Sequence, residues 1–178
     1  MQIWRSLDEV PTDLGPTAVV IGNFDGVHLG HGHVLARAAE IAAANGLKVV
    51  AVTFDPHPMA VLRPEHAPTT LTSLEVRAEL LGEVGADAML ALPFDRDVAA
   101  WTPEDFIQRV LVDGLGATAV VVGANFRFGR RAAGDVATLR EAGERLGFSA
   151  EGIPLDGGPQ VWSSTYVRMS LAAGDVAG

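Results

Sequence analysis

The sequence predicts an α/β protein in which one mostly parallel sheet carries helices on both of its faces. Short apolar, β-branched runs alternate along the chain with longer segments whose apolar residues recur at helical spacing. Most of these runs are apolar throughout, which is typical of strands that are buried on both faces. Such alternation of strands and helices favours parallel strands with helical crossovers.

Five strands follow from the apolar runs, at residues 18–21, 48–54, 88–92, 118–123 and 149–154. We expect the residues before the first of them to form an N-terminal arm, with Trp4 and Leu7 covering an edge of the core. The chain of 178 residues is long enough for one domain with a full core, and we expect a single domain over residues 1–178.

The helices between these strands are predicted from their start and stop signals. The first runs over residues 29–45, and later helices begin at Thr102, which is followed by Pro103, and at Gly134 or Asp135. Another begins in a capping box from Thr72 to Glu75 and runs to about residue 84. In that helix we expect a buried stripe and a solvated face, formed respectively by Leu74, Ala78, Leu81 and Val84 and by Arg77 and Glu79.

Composition excludes several classes of function. A net charge of −9 argues against a nucleic-acid partner, and the absence of cysteine excludes disulfides, thiolate metal sites and a cysteine nucleophile. No apolar run approaches the ~20 residues that span a bilayer, and the first residues lack a signal-peptide core. We therefore expect a cytoplasmic protein with no membrane partner.

The single lysine, Lys48, lies at the start of a strand, and no P-loop motif is present. Phosphate groups would therefore have to be bound by arginine, histidine, hydroxyl groups and backbone N–H groups. A strand, a glycine turn and a helix over residues 18–45 form such an anion site, because the first N–H groups of a helix lack partners. His28 and His31 lie at the entrance of this predicted anion site, where they could bind phosphate. The alternatives are that the two histidines have no function at the start of the helix, or that they bind a metal ion.

Two further segments follow the carboxyl ends of predicted strands, where open α/β sheets bind ligands. Residues 55–58 are Asp-Pro-His-Pro, which forms a stiff loop; the alternative is an ordinary rigid turn. Residues 124–134 contain two aromatic residues, three arginines and two glycines. Aromatic faces stack on planar rings and arginines bind phosphate oxygens, although a basic surface loop is the alternative.

The final polar segment, residues 163–168, begins a predicted helix with Ser163, Ser164 and Thr165 and contains Arg168 one turn later. These hydroxyl groups either cap the helix or form a second phosphate site with Arg168. Trp101 and Phe106 are interpreted mainly as core residues on sequence alone.

The His28-Leu29-Gly30-His31 stretch resembles the signature of the adenylyl- and cytidylyltransferase superfamily. All four segments together, in this order, closely resemble the FMN adenylyltransferase (FAD synthetase) module of the bacterial bifunctional riboflavin kinase/FMN adenylyltransferase family. The resemblance implies a Rossmann-like, three-layer α/β/α nucleotidyltransferase fold with a mostly parallel five-stranded sheet. It also implies transfer of AMP from ATP to FMN, giving FAD and pyrophosphate, with Mg²⁺ as cofactor.

The resemblance implies three groups of site residues, and it assigns no metal ligand. The catalytic residues would be His28, His31, Ser164, Thr165 and Arg168. The same five would bind ATP together with Gly22, Asn23, Phe24, Asp25, Gly26 and Asn125. The flavin would lie against Pro56, His57, Pro58, Phe106, Asn125, Arg127 and Phe128.

Two departures from the family pattern bear on function. Ala124 stands where family members often carry a polar or acidic residue. The chain also ends at Gly178, before the riboflavin kinase domain with which the family usually continues. We therefore expect no phosphorylation of riboflavin by this chain, and a partner in the form of a separate riboflavin kinase or a second copy.

Three other functions remain open at this point. One is an enzyme of the same superfamily with another acceptor, such as nicotinamide mononucleotide or phosphopantetheine. A second is a flavin- or nucleotide-binding module without catalytic activity. A third is a metal-binding protein that holds zinc through His28 and His31.

Overall fold

A computed structural model describes residues 2–22, 24, 29–55, 65 and 73–154 of the chain, together with the backbone but not the side chains of residues 29–31. All five predicted strands lie within these ranges and are confirmed. The predicted segments 56–58 and 163–168 lie outside them.

The described residues form one sheet of six parallel strands rather than five. The strands are β1 (Gln2–Trp4), β2 (Thr17–Ile21), β3 (Lys48–Asp55), β4 (Ala88–Pro93), β5 (Ala117–Gly123) and β6 (Ser149–Ile153). Their spatial order is β1-β4-β3-β2-β5-β6. The chain thus steps outward from β2 through β3 to β4 on one side, and through β5 to β6 on the other.

The additional strand is β1, which lies within the predicted N-terminal arm. It has only three residues and pairs with the edge of β4, with Trp4 opposite Leu90. A run this short shows no periodicity, so its strand conformation depends on the free edge that β4 offers. Trp4 is buried, as expected for a residue that covers the edge of the core.

The described helices are α1 (Leu29–Asn45), α2 (Leu74–Glu83), α3 (Arg96–Ala99), α4 (Pro103–Phe106) and α5 (Val136–Leu146). Helix α4 continues as a π-helix over Ile107–Gly114. Capping explains where they begin. Thr102 and Asp105 form a capping box at α4, and Asp135 forms one with Thr138 at α5. The predicted helix starts at Thr102 and Asp135 are therefore confirmed, as are the bounds of α1.

The sheet has a hydrophobic cluster on each face, because alternate strand residues point to opposite sides. On one face Ala18 and Val20 pack with Leu35 of α1 and Leu81 of α2. On the other face β2 contributes Val19 and Ile21 to a cluster with Phe106, Leu111 and Leu139 from α4, the π-helix and α5. This arrangement confirms the predicted three-layer α/β/α architecture.

Helix α2 differs from the prediction at its start and on two of its faces. Its N-cap is Ser73, whose hydroxyl accepts a hydrogen bond from the Val76 N–H at 3.2 Å, so the capping box predicted from Thr72 is wrong. Arg77 is buried rather than solvated, and its Nη1 donates to the Thr53 hydroxyl of β3 at 2.9 Å. Val84 is 39% exposed, because it follows the last helical residue and no longer continues the buried face.

The layer arrangement determines where a ligand can bind. The helices that follow β2 and β5, two neighbouring strands, lie on opposite faces of the sheet. A crevice therefore opens at the carboxyl ends of these strands, as in other doubly wound sheets. No helix within the described ranges is both long and apolar enough to cross a membrane.

Truncating one side chain at a buried and at an exposed position of the α2 segment tests the packing described. Leu81→Ala should lower the free energy of unfolding by about 2–5 kcal/mol, because Leu81 is fully buried and its loss leaves a cavity. Val84→Ala should lower it by less than about 0.5 kcal/mol, because that side chain is exposed. Urea denaturation of both variants measures the difference, and equal losses would contradict the assigned packing.

Candidate active site

A cavity with a volume of about 590 Å³ lies at the carboxyl edge of the sheet. Its walls come from the ends of β3 and β4, from α3, from Trp101 and the last residue of α4, and from the loop after β5. The lining residues are Phe54, Phe94, Val98, Ala99, Trp101, Phe106, Arg127, Phe128, Gly129, Arg130, Arg131 and Ala132. The cavity therefore combines an aromatic wall with a rim of three arginines.

Five of the seven phenylalanines form a continuous chain of ring contacts, and four of them line this cavity. Phe94 meets Phe54 edge-on at 5.9 Å between centroids, and Phe54 lies 6.2 Å from Phe106. The Phe106 and Phe128 centroids are 5.5 Å apart, and Phe128 stacks almost parallel on Phe126. Because aromatic pairs of this kind support one another, the wall is rigid and apolar.

Backbone contacts hold the arginine-rich loop in place. Phe128 and Gly134 exchange two hydrogen bonds, at 3.1 and 2.8 Å, which close the loop into a narrow bridge. The Arg130 N–H donates to the Trp101 carbonyl at 2.8 Å, and this bond ties the loop to the segment that connects α3 to α4. Arg131 and Ala132 have φ angles of 58° and 54°, a left-handed conformation that is costly for residues with a side chain.

Gly134 is required by the packing of Phe128. A Cβ atom at position 134 would lie 2.7 Å from the Phe128 ring, closer than real Cβ contacts allow. The glycine therefore permits the ring to lie directly against the backbone of the loop.

A smaller cavity of about 340 Å³ lies on the other side of the same loop, at the start of α5. It is lined by Ala124, Asn125, Phe126, Arg127, Asp135, Val136 and Ala137. Arg127 Nη1 and Asp135 Oδ2 form an ion pair at 3.3 Å. The N–H and the hydroxyl of Thr138 donate to the Asp135 carboxylate, and these bonds, with the charge of Arg127, hold its pKa below the ordinary value.

The carboxyl end of β2 carries Gly22 and Phe24. Phe24 is buried against the face of the sheet that α1 covers, and its φ of 53° is left-handed. A Cβ atom at Gly22 would lie 3.3 Å from the Phe24 ring, so the absence of a side chain there allows close packing.

The structure brings some predicted site residues together. Phe106, Arg127 and Phe128 line the larger cavity, and Asn125 and Arg127 line the smaller one. Phe106 is also a core residue, as predicted. His31 belongs to the first turn of α1, although its side chain lies outside the description. Outside the described residues lie Asn23, Asp25, Gly26, His28, Pro56, His57, Pro58, Ser164, Thr165 and Arg168.

Phe94 and Trp101 line the cavity, although the sequence did not predict them as site residues. Phe94 directly follows β4, so the rule that ligands bind at carboxyl strand ends could have identified it. Trp101 is half-buried, and the Arg109 guanidinium lies 5.0 Å from its ring centroid, so one side of the indole packs against protein. No sequence signal indicates that its remaining surface lines a cavity.

Within the described ranges, no three His, Asp or Glu side chains are grouped so that they could hold a metal ion. Mg²⁺ commonly keeps several waters and binds through one or two carboxylates and the substrate phosphates. The described residues therefore offer no cage of their own for Mg²⁺.

Comparison with known proteins connects this geometry to a family. A family model described as FAD synthetase matches residues 10–165. The chain is 39% identical over 178 residues to a bifunctional riboflavin kinase/FMN adenylyltransferase of Pseudomonas fluorescens, covering 98% of this chain and 56% of the relative. It is 38% identical over 161 residues to the Escherichia coli K12 protein of the same name, and this match covers 89% of this chain and 51% of the relative. The chain thus spans about half the length of the curated relatives it matches.

A solved structure titled as a macrolide-efflux protein from Streptococcus pneumoniae has the same fold, with a TM-score of 0.82. The two chains are 23% identical, and the match covers 98% of this chain and 56% of the other. At this level of identity the likeness shows the fold alone.

The packing of Phe128 on Gly134 can be tested by adding one methyl group. Gly134→Ala should lower the free energy of unfolding by about 1–3 kcal/mol, because the new Cβ displaces the ring. Gly32→Ala is the control: among the described residues outside its own helix, no atom lies within 4 Å of the added methyl group, so stability should stay the same or rise. Urea denaturation measures both, and a neutral Gly134→Ala would contradict the packing described.

Proposed function

Because the chain belongs to the FAD synthetase family, we propose that it is an FMN adenylyltransferase that transfers AMP from ATP to FMN and releases pyrophosphate. The observation that carries the proposal is the aromatic cavity with its arginine rim, beside the crevice at the end of β2 and β5. An acceptor with a flat aromatic ring and a phosphate group matches both parts of that cavity.

The cavity favours a flavin over a smaller acceptor. A volume of about 590 Å³ lies within the usual ~300–1,000 Å³ range of small-molecule sites. Phe106 and Phe128 line the cavity and give an isoalloxazine an apolar aromatic surface to pack against. Arg127 lines the same cavity, where it can meet the flavin phosphate. In this proposal Pro56, His57, Pro58 and Asn125 complete the flavin site.

ATP is placed at the crevice between β2 and β5. Helix α1 begins there, so the unpaired N–H groups of its first turn favour a triphosphate. The proposal assigns the contacts of His28 and His31 to that triphosphate, and those of Ser164, Thr165 and Arg168 to its β- and γ-phosphates. Gly22, Asn23, Phe24, Asp25 and Gly26 would surround the adenosine.

The reaction needs positioning and charge stabilisation rather than a general base. A phosphate monoester has a second pKa near ~6, so the FMN phosphate is already an anionic nucleophile at neutral pH. One of its oxygens bonds to the α-phosphorus of ATP, the bond to the bridging α–β oxygen breaks, and pyrophosphate leaves with the electron pair. Imidazole and guanidinium groups would neutralise the leaving group, and no covalent intermediate with the protein forms. Mg²⁺ bound to the ATP phosphates would supply further positive charge.

The direct test is turnover of the purified chain with FMN, ATP and Mg²⁺, with FAD and pyrophosphate separated by chromatography. Formation of both in equal amounts supports the proposal. Saturable binding of FMN and ATP without FAD would instead indicate a binding module, and turnover only with nicotinamide mononucleotide or phosphopantetheine would indicate another acceptor. Riboflavin in place of FMN tests separately for kinase activity.

The histidine assignment predicts a loss of turnover on truncation. His28→Ala and His31→Ala should each lower kcat by about 10²-fold, because each removes a donor to the developing charge. His33→Ala, an exposed α1 residue outside the proposed site, is the matched control and should retain activity. Unchanged kcat in both site variants would refute the assigned roles, and loss of bound zinc instead would favour the metal-binding alternative.

The flavin assignment predicts a loss of affinity when the ring of Phe128 is removed. Phe128→Leu should weaken FMN binding about three- to tenfold, because a stacked ring pair contributes about 0.5–1.5 kcal/mol beyond area burial. Phe148→Leu makes the same change in a buried phenylalanine that does not line the cavity, so it should leave FMN affinity unchanged. Isothermal titration calorimetry measures both, and equal affinities in the two variants would count against a flavin in this cavity.

A further inference from the structure

Arg127 lies at the boundary between the two cavities, since its side chain contributes to the lining of both. On one side are Phe106 and Phe128, and on the other is Asn125 at the end of β5. Strand β5 neighbours β2, and the proposed function assigns the nucleotide to the crevice at the ends of these strands. A phosphate group that connects a ring in the aromatic cavity to that crevice would therefore lie close to Arg127.

The two carboxylate oxygens of Asp135 have different partners, so one of them can hold Arg127. Oδ1 accepts hydrogen bonds from the N–H and the hydroxyl of Thr138, at 3.0 and 3.1 Å, and so caps α5. Oδ2 faces Arg127 Nη1 at 3.3 Å. The carboxylate is thus fixed by the rigid end of a helix, and its second oxygen remains for the guanidinium.

Helix capping alone does not require a carboxylate at this position. Asn and Ser cap helices about as well as Asp, since any of these side chains accepts a bond from the N–H three residues later. The contact with Arg127 is the one that needs the negative charge. The ion pair has 58% and 41% of its two side chains exposed, and exposed pairs contribute little to stability.

We infer that Asp135 is a positioning residue, which holds Arg127 between the two cavities so that the guanidinium binds the phosphate of FMN. This inference rests on the proposed function. The ion pair engages Nη1, and a guanidinium carries five N–H donors, so it can bind a carboxylate and a phosphate together. Holding the long side chain in place before the flavin arrives reduces the conformational entropy that binding would otherwise cost.

The test compares two ligands that share the isoalloxazine ring and differ in the phosphate. Calorimetric titrations of the full chain with FMN and with riboflavin give both dissociation constants for wild type, Asp135→Asn, Arg127→Gln and the double variant. Asp135→Asn keeps the helix cap and removes the charge. It should weaken FMN binding about three- to fivefold and leave riboflavin binding unchanged. In turnover assays it should raise KM for FMN more than it lowers kcat.

The double variant tests whether Asp135 acts through Arg127. Once Arg127 is absent, the carboxylate has nothing to position, so the double variant should bind FMN as weakly as Arg127→Gln alone. Glu151→Gln is the matched control, because it removes a similarly exposed ion pair, that of Arg37 with Glu151, and lines neither cavity. It should leave both flavin affinities unchanged.

Several results would overturn the inference. Equal weakening of FMN and riboflavin binding by Asp135→Asn would show a structural effect, and Asp135→Ser, which also retains a cap, checks this if the first variant is unstable. Unchanged FMN affinity, or additive losses in the double variant, would show that Asp135 does not position Arg127. If wild type forms FAD, those outcomes refute the inference alone. If wild type binds no FMN, the proposed function fails and the inference fails with it.

Discussion

The structure depends on a parallel sheet that is buried on both faces. Parallel strands need helical crossovers, so α1 and α2 cover one face while α4, the π-helix and α5 cover the other. Because the strands all run in the same direction, their carboxyl ends meet at one edge. The reversal of strand order at β2 and β5 then leaves a crevice at that edge. The larger cavity lies at the same edge, between the ends of β3 and β4 and the loop after β5.

The aromatic cavity extends the core rather than interrupting it. Phe106 and Phe128 belong to the hydrophobic cluster under α4, yet their rings also face the cavity. A wall of this kind is rigid because the core packs against the side that faces away from the cavity. Side chains that are already ordered before a ligand binds lower the entropic cost of binding. The arginine loop is different, since its position depends on a few backbone hydrogen bonds to Gly134 and Trp101 and on two left-handed residues. Strain of this kind is often concentrated at ligand sites.

Helices and strands were predicted well where one local sequence signal, such as a helix cap or an apolar run, was stronger than the others. The bounds of α1, the capping box at Thr102 and the five longer strands follow from capping and apolar runs, and the structure confirms them. Arg77 was wrongly placed in solvent, because its charge suggested exposure while its spacing from Leu81 placed it on the buried face. The hydroxyl of Thr53 in the neighbouring strand makes that burial possible. That contact joins residues 24 positions apart and cannot be read from either segment alone.

The sequence by itself determined the fold class, the layers and the family, because strand burial, helix periodicity and the order of four motifs are all local properties of the chain. The family resemblance also implied that Phe106, Arg127 and Phe128 belong to a flavin site. Only the tertiary structure decided how that site is closed. Phe94 and Trp101 belong to the segment after β4, whereas Phe128 belongs to the loop after β5, so only the packed structure brings them to one cavity. The short strand β1 exists because β4 offers a free edge to pair with. Arg127 likewise lies between two cavities and pairs with Asp135 because the loop after β5 returns to the start of α5. Contacts of this kind depend on how distant segments pack, which no local pattern records.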